Sequence, residues 1–82
     1  MFSEEVREKA CIITSGFCEY EGCLNKATEF HHKLANTSLN RKLYPKFIDS
    51  IFNCMPICNN CHMTKPKVKI SERRASIYES SL

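Results

Sequence analysis

Glycine is almost missing from this chain, with two in 82 residues, and that excludes collagen-like repeats and flexible linkers. Long apolar runs are missing too. The longest is Ala10-Cys11-Ile12-Ile13, far short of the ~20 residues that a membrane span needs, so no membrane partner is expected. The first residues, Met1-Phe2-Ser3-Glu4-Glu5, are acidic and carry no apolar stretch. A secretory leader is therefore not expected, and the chain is expected in the cytoplasm. Acids are scarce in the second half: between Lys33 and Arg74 only Asp49 and Glu72 are acidic. Length is short as well. Domains typically run to ~100–150 residues, so residues 1–82 are read as one domain, with no room for a barrel or a doubly wound sheet.

What is present points to a folded chain that needs a staple. The apolar fraction of 43% is that of a globular protein. A core this small seldom supplies more than ~3–5 kcal/mol. Six cysteines answer that need, either as disulfides or as a metal site, and the missing leader favours metal. Cys18 and Cys23 form a C-x4-C pair, and Cys58 and Cys61 a C-x2-C pair. Each short pair wraps a turn that points two sulfurs at one ion, so the two pairs together suggest a tetrahedral structural zinc site that contributes folding energy directly. Cys11 is read as a buried small hydrophobe. Cys54, in C-x3-C spacing with Cys58, remains an alternative fourth ligand.

Net charge is +3, which permits nucleic acid without demanding it. Clustering says more than the sum. Lys33, Arg41, Lys42, Lys65, Lys67, Lys69, Arg73 and Arg74 are candidate phosphate contacts against the plainer reading of a solvated surface. An N-terminal helix is expected over 3–15, capped by Ser3, with Val6, Ala10 and Ile13 on one face and Ser15-Gly16 as its stop. A zinc and metal core is expected over 17–66. Within it, 27–32 reads as a short strand, 36–40 as a polar loop, 39–52 as a helix broken at Pro45 or a loop followed by a short helix, and the residues after Cys58 as a helix ending before Pro66. A basic C-terminal helix is expected over 71–80, with Ser71 as cap and Ala75 and Tyr78 on one side. All three histidines lie beside the cysteine turns. Imidazole is both a common metal ligand and a base suited to neutral pH.

The run Asn53-Cys54-Met55-Pro56-Ile57-Cys58-Asn59-Asn60-Cys61-His62 reads N-x4-C-x2-C-H, and Glu29-Phe30-His31-His32-Lys33 carries an adjacent histidine pair. With Cys18 and Cys23 upstream, this order of residues resembles the HNH endonucleases of the ββα-metal (His-Me finger) family, and in particular small stand-alone members of phages and mobile elements, which would act in a host cytoplasm. The resemblance covers Cys18 to His62. It implies an α+β fold: a ββα-metal core with a four-cysteine zinc site and flanking helices. It also implies metal-assisted hydrolysis of DNA phosphodiesters, double-stranded or structured. His32 would be the general base. His31 and His62 would hold a divalent catalytic ion, and Asn53 would hold the hairpin loop and orient His32.

Three departures stand out. His31 replaces the commoner aspartate, and nitrogen suits Mn²⁺ or Ni²⁺ better than hard Mg²⁺. Twenty residues, rather than a glycine-rich stretch, separate His32 from Asn53. The first cysteine pair is C-x4-C where C-x2-C is commoner. Cutting both strands with one site requires two binding events or a homodimer. So small a domain would borrow specificity from a targeting protein, recognise a DNA structure or act on many sequences. The alternative is a non-catalytic zinc module that binds nucleic acid or a protein.

Overall fold

The computed structural model describes all 82 residues. Ser3 starts the first helix, α1 (Glu4–Ile13), its hydroxyl accepting from the Val6 amide at 3.2 Å with Glu4 and Glu5 in the positive first turn. The chain leaves α1 through Ser15 and Gly16, both at positive φ, and the Gly16 amide closes on the Cys11 carbonyl at 2.8 Å. Ala10 is buried against Phe2 and Cys54, with Val6 beside it, whereas Ile13 is 70% exposed and leaves the face expected for it. A narrow sheet offers the helix one strip, and Ile13 lies about 60° round the axis from Ala10.

Residues 17–26 form a knuckle closed by a bridge between Phe17 and Lys26 and by the Cys18 amide on the Asn25 carbonyl at 2.8 Å. Gly22 turns it at φ +81. The strand β1 (Glu29–His32) follows, starting two residues later than the sequence suggests. It pairs antiparallel with β2 (Cys54–Ile57), His31 opposite Met55 and His32 opposite Cys54. Pro56 is tolerated because each strand of a two-stranded sheet is an edge.

The connection between the strands departs from expectation. Its helix comes first: α2 (Ser38–Leu43) is capped by the Thr37 hydroxyl on the Asn40 amide at 3.1 Å, so part of the expected polar loop is helical. The helix ends at Tyr44, before Pro45, and turns run on to Asn53. Phe47 and Ile48 are fully buried there. After β2, Cys58 caps α3 (Asn59–Thr64), which stops ahead of Pro66. Ser71 caps α4 (Glu72–Ser81), whose Ala75 is fully buried and whose Tyr78 stacks on Phe47 and Phe52 at 5.2 and 5.1 Å.

The result is a small α+β fold with one two-stranded sheet. Only 15 of 82 residues are buried, and the hydrophobic ones among them fall mainly into three separate clusters rather than one core. One cluster is built on the four cysteines, one lies under α4, and one lies under α1. No helix is long and apolar enough to cross a membrane.

Candidate functional site

Cys18 and Cys23 come from the knuckle, Cys58 from the cap of α3 and Cys61 from its first turn. Their four sulfurs lie within 4.8 Å of one another. The Cys23 and Cys58 sulfurs are 3.7 Å apart, close to the ~3.8 Å edge of a tetrahedron with 2.3 Å zinc–sulfur bonds. The Cys61 amide, at 3.4 Å, and the Asn25 side-chain amide, at 3.7 Å, both donate to the Cys58 sulfur. The Cys61 amide is the larger cause that draws the Cys58 thiol down to about 6, while burial pushes Cys61 up to about 12. An all-thiol set with this spacing could hold a metal ion such as zinc, whose charge would keep all four as thiolates. Cys54 takes no part. It packs against Phe2 and Ala10, and burial pushes its thiol up to about 11. Cys11 is half-buried at the rim of α1 and is no core residue.

A separate cleft of about 510 Å³ is lined by His31, His32 and His62 together with Lys33, Lys67 and Lys69. Strand alternation sends His31 and Glu29 towards α3, and His32 and Phe30 towards α1. On the α3 side the His31 and His62 rings face each other, centroids 5.6 Å apart and tilted by 57°. His62 Nδ1 bonds Glu29 Oε1, and Asn59 Nδ2 donates to Glu29 Oε2 at 2.7 Å. The Asn59 amide first and His62 second hold the Glu29 carboxyl below its ordinary range. His31 Nε2 donates to the Val68 carbonyl at 2.9 Å, leaving Nδ1 open.

On the α1 side Phe2 stacks flat on His32, centroids 3.8 Å apart and planes within 14°. His32 Nε2 reaches Asp49 Oδ1 at 3.4 Å, and Asp49 is gripped by both Arg41 terminal nitrogens at 2.8 and 3.0 Å. Burial lowers the His32 pKa, and the Asp49 carboxylate opposes that shift. Asn53 is fully buried and does not line the cleft. It accepts from the Leu34 amide at 2.6 Å and donates to the carbonyls of Leu34 and Ile48 at 3.2 and 2.9 Å, tying together the ends of the connection that carries Asp49.

The candidate cations divide. Lys33, Lys67 and Lys69 line the cleft, though Lys33 also pairs with Glu19 at 3.1 Å. Arg41 is engaged by Asp49 and Asn36. Lys65 stands beside the cysteine knuckle, and Lys42, Arg73 and Arg74 are exposed away from the cleft lining. Sequence reasoning passed over Glu29, Asp49 and Phe2. Glu29 had a signal, because a strand places residue i−2 on the same face as His31. Asp49 had a weaker one, as an isolated acid inside a basic run. Comparison of the chain with protein-family models, with curated proteins and with solved structures gives no match.

Proposed function

We propose that this protein is a metal-dependent endonuclease or nickase of the HNH type, cutting DNA phosphodiesters in the histidine cleft. The observation that carries the reading is the convergence of all three histidines with three lysines in one cleft, in a chain that also gathers four cysteines into one metal-competent cluster. A cleft lined by one sign of charge attracts a polyanion, and Lys33, Lys67 and Lys69 are suited to hold its phosphates.

His31 and His62 would hold the divalent ion. Two imidazoles on one ion, each nitrogen about 2.1 Å from it, have ring centroids ~5–6 Å apart, and the observed separation is 5.6 Å. Glu29 on the far nitrogen of His62 fixes the ring and raises its basicity, as outer carboxylates do for metal-bound histidine. Bound there, the ion supplies charge stabilisation at the scissile phosphate. Nitrogen donors favour Mn²⁺ or Ni²⁺ over Mg²⁺. His32 takes a proton from water, the resulting hydroxide attacks phosphorus, and the 3′-oxygen departs and gains a proton from solvent. The products carry 5′-phosphate and 3′-hydroxyl ends. Asn53 acts through the backbone, holding β1 and the connection in register.

The test is cleavage of supercoiled plasmid by zinc-loaded protein with Mg²⁺, Mn²⁺ or Ni²⁺, beside His32→Ala. Nicked or linear product from the wild type, reduced at least ~100-fold in the variant at unchanged zinc content and melting temperature, supports the reading. No cutting by folded, zinc-loaded wild type in any of these ions leaves a zinc module that binds nucleic acid or protein.

A further inference from the structure

The connection between the two strands is longer than a hairpin needs, and it brings back a single carboxylate, Asp49, to the edge of the His32 ring. We infer that Asp49, held by Arg41, fixes His32 as the Nε2–H tautomer and so turns its Nδ1 lone pair to the cleft, making Asp49 a positioning residue for the base. This rests on the reading of His32 as general base.

The geometry supports it at each step. An ionised carboxylate only accepts, so the nitrogen that meets Asp49 Oδ1 at 3.4 Å must carry the hydrogen. Neutral imidazole has one such hydrogen, so the other nitrogen, Nδ1, is left as the acceptor. Phe2 covers one ring face at 3.8 Å and resists tilting. Asp49 is itself oriented by the two-pronged contact with Arg41, a planar and directional pairing. Arg41 Nε is anchored in turn on Asn36 Oδ1. The turn that carries Asp49 is pinned by Glu79, which accepts from the Lys46 amide at 3.0 Å and the Phe47 amide at 2.8 Å. A histidine base held by an acid on its far nitrogen loses rate through the wrong tautomer when the acid is removed, while the site's shape persists.

The experiment is long-range ¹H–¹⁵N NMR of the zinc-loaded protein at a pH where His32 is neutral, with its signals assigned by loss in His32→Gln. Wild type is expected to show the single Nε2–H tautomer. Asp49→Ala is expected to show both tautomers, and Asp49→Glu to recover the single one. Plasmid cleavage with Mn²⁺ is measured alongside. Asp49→Ala should lower kcat about 10–100-fold with KM unchanged, and Asp49→Glu should restore part of it. If Asp49→Ala fails to hold zinc or melts well below the wild type, Asp49→Asn is read in its place, and the second tautomer should again come into view. A single Nε2–H tautomer persisting in the folded Asp49 variants would overturn the inference. Wild type that cuts nothing yet shows the Asp49-dependent tautomer would remove the nuclease reading and leave the Asp49–His32 coupling standing.

Discussion

Asn53 is the residue whose side chain is most fully committed. Its three hydrogen bonds reach backbone groups of Leu34 and Ile48, and it is wholly excluded from water. Replacing it with alanine strands those groups without partners, and each buried orphan costs ~1–3 kcal/mol. Asn53→Ala is therefore expected to lose about 2–5 kcal/mol in urea unfolding, a large part of the stability of so small a domain. Asp49 sets a different expectation. Hydrogen bonds from Arg41 hold its carboxyl below the ordinary aspartate value, so it binds its proton less readily folded than unfolded. Its contribution is therefore present above the unfolded pKa and is lost as pH falls through the folded one. Asp49→Asn should melt slightly below the wild type at neutral pH. That difference should close once pH drops below the ordinary aspartate range, which paired melting curves from pH 7 downward will show.

Among the elements, α4 is fastened by a side chain to a segment distant in the chain. Glu79 lies near its end and receives the amides of Lys46 and Phe47, while Ala75 and Tyr78 fill the space against Phe47. Glu79→Ala is expected to cost about 1–2 kcal/mol, and Glu79→Gln, which keeps an acceptor, distinctly less. Thermal unfolding of the two variants separates the hydrogen bonds from general packing. The helix is legible in sequence because Ser71 caps it locally. Its docking is not legible, because the partners of Glu79 lie more than thirty residues away. α1 gives the same lesson from its apolar face: periodicity names Ala10 correctly, yet Ile13 is exposed because the sheet beneath is narrow.

For the molecule as a whole, three small clusters replace one core, and the cysteine cluster is one of them. Metal bound there joins the knuckle to α3. Stripping metal with a strong chelator is therefore expected to abolish cooperative unfolding, with recovery on adding Zn²⁺, checked by far-ultraviolet circular dichroism. Cys54→Ser should leave zinc stoichiometry unchanged, whereas Cys58→Ser should not. The charge of the cleft also belongs to this scale. If Lys67 and Lys69 each meet a phosphate, the double alanine variant should reduce the slope of log K for DNA against log salt by about 2, measured by fluorescence anisotropy.

Signals that act within a turn were readable from the chain alone. Ser3 and Ser71 each cap an amide three residues on, and Gly22 bends the knuckle, whereas Thr37, read as part of a polar loop, caps α2. Cysteine spacing works the same way, since backbone geometry over two to four intervening residues suffices to aim both sulfurs. Those features follow from local bonding and are the same wherever the segment sits. The companions of the histidines were decided only by tertiary structure. His62 finds Glu29 across 33 residues, His32 finds Asp49 across 17, and Asn53 finds Leu34 across 19. No periodicity encodes such pairs. They exist because strand pairing and the docked connection bring groups distant in sequence within hydrogen-bond reach, and the need for a partner is strongest at Asn53, which is wholly buried.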